Sequence, residues 1–159
     1  MALNPEYEKI GYDIIGCAFE VRRAVGGKLG EKYYRDALAW ELNRLGYSVD
    51  RERPIKVKYK GEVIASPYFA DLVIDDRVII ELKALRQFKE AEIRQIMTYL
   101  SLSDIRLGYL INFGVEDFRI GNLSSEHYPF IHGIYRIVNK NDYPQKSPIE
   151  YQLVSDLYS

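Results

Sequence analysis

The chain has 159 residues, 47% apolar and 28% charged, a composition typical of one globular domain. A net charge of −1 does not indicate a nucleic-acid partner, so any basic surface must be local. The single cysteine, Cys17, excludes an intramolecular disulfide and a cysteine-built zinc site. No apolar run is long enough to cross a bilayer and no secretory signal is visible, which predicts a cytoplasmic protein without a membrane partner.

The first part of the chain predicts two amphipathic helices. From Glu6 to Val25, apolar residues recur at three- or four-residue steps, and a glycine pair ends that helix. A second helix is predicted from Gly30 to Leu45. Its acid Glu31 lies one turn before Tyr34 on the same face. Since an acid in a first turn suits any helix dipole, Glu31 is either a structural residue or a site residue.

The following segments predict a sheet built around a third helix. Pro54 to Tyr59 alternates apolar residues with lysines, which could lie along a phosphate backbone or protect an edge strand. Because a strand, a helix and a buried strand then follow in order, a parallel crossover is expected. The remaining predictions are strands at Tyr68 to Ile74, Arg77 to Leu85, Ile105 to Phe113 and Ile134 to Val138, a helix from Glu90 to Leu102, and a short strand at Phe118 to Ile120.

The fold class predicted from these elements is α/β, with a mixed sheet of antiparallel hairpins plus one parallel strand, flanked by helices. We expect one domain with its core at about residues 10–114. Residues 115–133 have the composition of an insertion, and residues 134–159 form an edge strand and a tail.

Charged residues interrupt two of the apolar strands. Asp71 lies within the first, and Glu81 and Lys83 lie within the second. Because a buried charge is costly unless it is paired or bound to a metal, this stretch is where a functional site is expected. Alternation along a strand places Glu81 and Lys83 on one face, roughly 7 Å apart at about 3.3 Å per residue.

The hairpin register decides whether the two carboxylates meet. A two-residue loop at Asp75 and Asp76 would send Asp71 and Glu81 to opposite faces. A loop that also includes Arg77, or a bulge with the same effect, would set them opposite each other on one face. We predict the second register, because it aligns the apolar residues of the two strands.

Two adjacent carboxylates beside a lysine suit a hard cation. Magnesium takes oxygen ligands, typically one or two carboxylates with waters and phosphate oxygens. Lys83 could orient the attacking water, and the backbone carbonyl of Leu82 could complete the metal shell. The alternative is a structural ion pair, since Glu-x-Lys is common on solvated strands. Gln95 and Tyr99, four residues apart, either face this site or form a polar boundary beside the core.

Jointly, these residues resemble the motifs of the PD-(D/E)XK nuclease superfamily, which has the restriction-endonuclease-like fold. Asp71 resembles the motif aspartate, and Glu81-Leu82-Lys83 resembles the E-x-K element. The run from Gln95 to Tyr99 is similar to the Q-x-x-x-Y element of the exonuclease-like branch. Glu31 resembles the glutamate that this branch contributes from an early helix. More narrowly, Ile10 to Gly114 resembles a small bacterial group called GxxExxY proteins.

Three positions depart from the pattern of these relatives. Lys28 stands where the group has a glycine, and Ala70 stands where the superfamily motif has a proline. A histidine that many relatives carry shortly before the glutamine is absent here, and Arg94 precedes Gln95. The two histidines of this chain, His127 and His132, are five residues apart with a proline between them and make a poor metal pair.

The resemblance implies a nuclease that hydrolyses phosphodiester bonds of DNA, or of RNA, with a water activated by Mg²⁺, for which Mn²⁺ can substitute. It implies Asp71, Glu81 and the carbonyl of Leu82 as metal ligands. Lys83 would assist the water, Gln95 and Tyr99 would position lysine or phosphate, and Glu31 would support a water. Nucleic-acid contacts are expected from Tyr34, Arg86, Lys89 and Arg94.

The alternative function is a catalytically silent nuclease-fold protein that binds nucleic acid or a protein partner. A homodimer, as in many relatives of this fold, or an unknown protein partner is compatible with the sequence.

Overall fold

The computed structural model describes residues 5–56, 58–64, 68–87, 89–103, 105–123, 125–126 and 129–138. His127 and the predicted tail at 139–159 lie outside these ranges. Within them, three helices cover the two faces of a five-stranded mixed sheet. The elements are α1 (Pro5–Val25), α2 (Glu31–Arg44), β1 (Val49–Ile55), β2 (Lys58–Tyr59), β3 (Glu62–Val63), β4 (Tyr68–Ile74), β5 (Val78–Lys83), α3 (Glu90–Leu102), β6 (Leu107–Asn112) and β7 (Ile134–Val138).

The strand order of the sheet is β1-β4-β5-β6-β7, and β2 and β3 form a separate hairpin. The pairing of β5 with β6 is parallel, and α3 is the crossover between them. The other neighbours in the sheet are antiparallel. The predicted α/β fold class, with one parallel strand after a crossover helix, is therefore confirmed. Among the described residues, no helix has both the length and the apolar character that a membrane span requires.

Two predicted strands differ from those observed. The strand expected from Pro54 to Tyr59 is divided, because its first residues end β1 and its last belong to the β2–β3 hairpin. Lys60 and Gly61 turn that hairpin with φ values of 50° and 83°. The strand expected at Phe118 to Ile120 is reduced to a single bridge from Ile120 to β7.

Each face of the sheet has its own apolar core. Helices α1 and α2 cover the face that carries Leu72 and Ile80, and α3 covers the face that carries Val73 and Ile79. This division follows from the alternation of side chains along β4 and β5. The segment predicted to resemble an insertion also contributes to the second core, since Phe130 is fully buried there.

Arg22 joins the segment after β6 to α1. Its Nε donates to the carbonyl oxygen of Phe113 at 3.0 Å, and its Nη2 donates to that of Val115 at 2.7 Å. Its guanidinium also lies over the ring of Phe118. One side chain thus provides donors for two carbonyls of the loop that follows β6.

Replacing Arg22 by alanine is expected to lower the free energy of unfolding by about 1–3 kcal/mol, because both carbonyls lose their donor. Urea denaturation measures the change. Arg23→Ala is the matched control, because Arg23 is exposed and pairs with Glu20 on its own helix. That variant should differ from the parent by no more than about 0.5 kcal/mol. Equal losses in the two variants would contradict the role given to Arg22.

Candidate active site

The β4–β5 hairpin has the register that brings Asp71 and Glu81 together. Leu72 pairs with Ile80, and the register holds from there to the turn. Continuing it by one residue in the other direction sets Asp71 opposite Glu81. Directly opposed residues of an antiparallel pair point to the same face of the sheet. The predicted register is confirmed in the paired part of the hairpin, which ends at Leu72 and Ile80.

The turn between the strands explains this register. Asp75 and Asp76 have φ values of 50° and 57°, in the left-handed region that aspartate tolerates better than most residues other than glycine. The N–H of Arg77 donates to the carbonyl oxygen of Ile74 at 2.9 Å and closes a tight turn around the two aspartates. Pairing then starts at Val78, so Arg77 is the extra residue that shifts the register by one.

Beyond Leu72 and Ile80 the two carboxylates, not the facing strand, accept the backbone N–H groups. Glu81 Oε1 accepts a hydrogen bond from the N–H of Asp71 at 3.1 Å, and Asp71 Oδ2 accepts one from the N–H of Leu82 at 2.9 Å. A partly buried N–H without an acceptor would be costly. The end of the ladder thus holds both acids in place.

The environment of Glu81 disfavours its charge. The residue is only 7% exposed, and this burial is the main reason why its pKa rises from 4.5 to about 8. The negative charge of Asp71 raises the pKa further, while hydrogen bonds from Tyr68 and from the N–H of Asp71, and the charge of Lys83, lower it. Glu81 is therefore mostly protonated at neutral pH, unless a cation compensates the two acids.

Tyr68 connects Glu81 to α3. Its hydroxyl donates to Glu81 Oε1, and its ring stacks on the ring of Tyr99. Gln95 Nε2 donates in turn to the hydroxyl oxygen of Tyr99 at 2.6 Å. Burial and the charge of Glu81 raise the pKa of Tyr68 well above its usual range, so this hydroxyl remains a donor. Gln95 and Tyr99 therefore approach the site, but they reach Glu81 through Tyr68.

The position of Tyr68 is not visible in the alternation of β4. Strict alternation places Tyr68 and Ala70 on the face opposite Asp71. In the structure both pack with the core that contains Val73. The change of face occurs at the position of β4 that lies opposite Glu52 of β1. Glu52 has a φ of 49°, and it stands between the two β1 residues that pair with Leu72 and Ala70. Because a local twist of this kind leaves no pattern in the sequence, Tyr68 was missed.

Two cations flank the acids. Lys83 follows Glu81 on β5 and is half-buried, and its ammonium forms no ion pair with any residue that the structure describes. Arg35 of α2 is 17% exposed, and its Nη1 lies 3.4 Å from Asp71 Oδ1 and 3.2 Å from Glu52 Oε1. Arg35 was not predicted as a site residue. Its spacing of four residues from Glu31, which puts both on one helical face, could have indicated it.

Two residues predicted from α2 do not contact the acid pair. Glu31 is exposed in the first turn of α2, where we find no hydrogen bond or ion pair from its side chain to the described residues. Tyr34 is fully buried, donates to the carbonyl oxygen of Gly26 at 2.6 Å and stacks on Phe113. The prediction that Tyr34 contacts nucleic acid is wrong, because a side chain without exposed surface cannot reach a phosphate.

The other predicted nucleic-acid contacts are exposed between the end of β5 and the middle of α3. They are Arg86, Lys89 and Arg94. Lys89 is the N-cap residue of α3, and its backbone N–H donates to the side chain of Glu92 at 2.9 Å. Arg94 lies 3.7 Å from Glu90 on the same helix. These cations are accessible to a phosphate, and their role stays a prediction.

His132 has a structural environment. Its Nδ1 lies 2.5 Å from Glu126 Oε1, and its Nε2 lies 3.5 Å from Asp117 Oδ2. Each ring nitrogen thus faces a different carboxylate on opposite sides of the ring. This arrangement agrees with the interpretation that the histidine is not a metal ligand.

The carboxylate oxygens of Asp71 and Glu81 are suitable ligands for a hard divalent cation. No described residue donates to Oε2 of Glu81, and the Arg35 contact to Asp71 is long at 3.4 Å. In the described part of the chain, no group of three or more His, Cys, Asp or Glu side chains could hold a metal. The structure therefore offers a two-carboxylate site, which is the usual protein share of a Mg²⁺ shell completed by waters and substrate phosphate.

Comparison with known proteins agrees with this geometry. Residues 8–121, which are 114 of the 159 residues, match a family model described as the PD-(D/E)XK nuclease superfamily. No curated protein and no solved structure matches the chain. The matched range contains both acids, Lys83, Arg35 and the Gln95 to Tyr99 element. The chain belongs to the PD-(D/E)XK nuclease superfamily.

Proposed function

We propose that the protein is a nuclease that hydrolyses phosphodiester bonds of DNA, or of RNA, with a water activated by Mg²⁺. The observation that carries the proposal is the meeting of Asp71 and Glu81 at the end of the β4–β5 ladder, with Lys83 two residues after Glu81 on β5. The motifs support membership of the GxxExxY group within the superfamily. A cytoplasmic location, with nucleic acid as the partner, fits this function.

The residues of the site have distinct roles in this proposal. Asp71 and Glu81 would hold Mg²⁺, or Mn²⁺ in its place, with the carbonyl of Leu82 as a third protein oxygen. The bound ion would polarise the phosphate and lower the pKa of a coordinated water. Lys83 orients the attacking water and stabilises negative charge on the phosphate. Arg35 offsets part of the charge of Asp71 when the metal is absent.

The surrounding residues hold these groups in position. Gln95 fixes the hydroxyl of Tyr99, and the ring of Tyr99 supports Tyr68 against Glu81. Glu31 is proposed to support a water in the site, because it lies one helical turn before Arg35 on the same face. Partners of this kind orient metal ligands and tune their affinity.

The proposal is tested by cleavage of single- and double-stranded DNA and RNA of one sequence. Each substrate is incubated with Mg²⁺, Mn²⁺ or EDTA, and labels at both ends distinguish internal cleavage from degradation from an end. We expect cleavage only with a divalent metal, and DNA to be the better substrate. Cleavage in EDTA at the same rate would exclude the metal mechanism.

A second candidate is a nuclease-fold protein that binds nucleic acid or a protein partner without cutting. It is favoured by the hydrogen bonds of the acid pair, because Tyr68 and Arg35 already contact the two carboxylates. A folded parent protein that cleaves none of the four substrates, and shows no Mg²⁺ or Mn²⁺ binding by calorimetry, would support this candidate. A second copy of the chain, forming a homodimer, is also proposed as a partner to be tested by light scattering.

Tyr68→Phe is expected to weaken Mn²⁺ binding by about 10- to 100-fold, because the hydroxyl that orients Glu81 Oε1 is lost. Phenylalanine retains the stacking on Tyr99, so the fold should persist. Calorimetric titration measures the affinity, and the metal dependence of cleavage gives an independent value. Tyr12→Phe is the control, because Tyr12 is 79% exposed on α1. Unchanged affinity in Tyr68→Phe would remove Tyr68 from the site.

A further inference from the structure

A cavity of about 690 Å³ lies at the carboxyl end of β5 and β6. Ala84, Leu85 and Arg86 line it after β5, Gly114 lines it after β6, and Lys28 lines it from the loop between α1 and α2. Leu85 is two residues beyond Lys83, which is roughly 7 Å along an extended chain. The cavity thus begins at the residue that follows Lys83 in the chain. Its volume is in the range of ligand-binding clefts, about 300–1,000 Å³.

The charges on the wall of this cavity that have no partner among the described residues are two cations and one acid. Lys28 and Arg86 are exposed, and neither forms an ion pair or hydrogen bond with the described part of the chain. Of the two acids on the wall, Asp117 is compensated by Arg119, with the two groups 2.5 Å apart. Glu116 is then the one carboxylate facing two cations. Such a wall attracts an anion.

The buried amide of Asn112 is bonded to two residues of this wall through its oxygen, and its nitrogen has no acceptor among the described residues. Oδ1 of Asn112 accepts hydrogen bonds from the N–H groups of Leu85 at 2.8 Å and of Gly114 at 3.0 Å. Because these bonds fix the orientation of the amide, its Nδ2 is a donor, and this atom has no acceptor among the described residues although it is buried. A buried donor of this kind calls for an oxygen from a water or from a ligand.

We propose that this cavity binds one phosphate, with its nucleoside, from a single strand of nucleic acid that leads away from the active site. The inference rests on the proposed nuclease function and adds the form of the substrate. Lys28 and Arg86 would contact the phosphate, since unpaired cations are the usual phosphate ligands of proteins. A cavity of about 690 Å³ has room for one nucleotide unit with its base, and a base that is paired in a duplex cannot enter it, so we propose a single strand as the occupant.

The test is the binding of a fluorescein-labelled single-stranded oligonucleotide, followed by anisotropy in EDTA so that no cleavage occurs. Lys28→Ala/Arg86→Ala is expected to weaken binding about 10- to 100-fold and to lower the slope of log affinity against log salt by about 1. Its melting temperature should match that of the parent, because neither side chain has a partner among the described residues. Unchanged affinity and slope would overturn the proposal.

Lys9→Ala/Arg77→Ala is the matched control. It removes the same charge at the opposite end of β5, where Arg77 pairs with Glu6 at the start of α1. We expect this double variant to bind the oligonucleotide like the parent. Equal weakening in both double variants would show a general charge effect and overturn the cavity assignment.

Oligonucleotides with a 5′-phosphate, a 3′-phosphate or neither distinguish the source of the phosphate. Equal binding of the three supports an internal phosphate, and a requirement for one end supports a terminal phosphate in the same cavity. Tighter binding of a duplex than of the single strand would overturn the proposal. Because binding is measured without metal, a parent protein that binds but never cleaves would defeat the nuclease function alone.

Discussion

Asp71→Asn is expected to lower kcat/KM for nucleic-acid cleavage in Mg²⁺ by about a thousandfold, which corresponds to about 4 kcal/mol of transition-state stabilisation. Asparagine keeps the shape of the side chain, and its Oδ1 can still accept the N–H of Leu82, so the end of the ladder should persist. The variant lacks the charge that Asp71 contributes beside Glu81. Asp71 would be one of two anionic ligands of the proposed metal, so its loss would weaken the polarisation of the phosphate and the activation of the water.

Asp76→Asn is the matched control for this prediction. It makes the same chemical change five residues away, where the side chain pairs with Arg53 in solvent at the turn. This variant should cleave like the parent. Thermal melting shows whether Asp71→Asn is folded, since the substitution also removes the ion pair with Arg35. Cleavage by a folded Asp71→Asn protein at the parental rate would exclude Asp71 as a metal ligand.

The fold could be predicted where periodicity and flanking turns agree. α3 and β7 have the predicted bounds, because an apolar stripe and a short alternating segment each stand between residues with turn character. The prediction of one strand from Pro54 to Tyr59 is wrong, because the alternation of apolar residues and lysines continues across the point where β1 ends and β2 begins. Pairing of β2 with β3 around the turn at Lys60 and Gly61 separates this hairpin from β1, and alternation does not show which strand a segment pairs with.

The acid pair could also be predicted, since one register alone aligns the apolar residues of β4 and β5. The groups that surround the pair depend on tertiary packing. Arg35 reaches Asp71 because α2 lies against the sheet, and Tyr68 reaches Glu81 because β4 changes face next to Glu52. Neither contact can be predicted from the spacing of these residues in the sequence.

Tyr34 shows a further limit of the sequence. An aromatic residue on the apolar stripe of a helix can stack on a base or on another side chain, and its spacing is the same in both cases. Here it stacks on Phe113 with ring centroids 4.4 Å apart and has no exposed surface. Assignment of an aromatic residue to nucleic-acid binding therefore needs its exposure as well as its position.

Glu81→Gln is expected to abolish cleavage and to stabilise the fold at high pH. Between pH 4.5 and about 8, folded Glu81 holds a proton that the unfolded chain has released. The free energy of unfolding of the parent therefore falls as the pH rises through this window. Above the window, the full cost of ionising Glu81 in its buried site is present. Glutamine has the same shape without the charge, and its amide oxygen can accept the bonds from Tyr68 and from the N–H of Asp71. The free energy of unfolding of the variant should exceed that of the parent by on the order of 3 kcal/mol at pH 9, and the two should be equal near pH 4.5.

Urea denaturation at pH 4.5, 7 and 9 in EDTA measures this difference. Glu62→Gln is the control, because Glu62 is exposed on β3 and its replacement should leave the pH dependence unchanged. At pH 8, added Mg²⁺ should stabilise the parent and not Glu81→Gln, because only the parent has both carboxylates to bind it. A Glu81→Gln protein less stable than the parent at pH 9 would mean that the hydrogen bonds of ionised Glu81 outweigh the cost of burying its charge. The pair of acids would then be stable without a cation, and the main electrostatic argument for a metal at this site would fail.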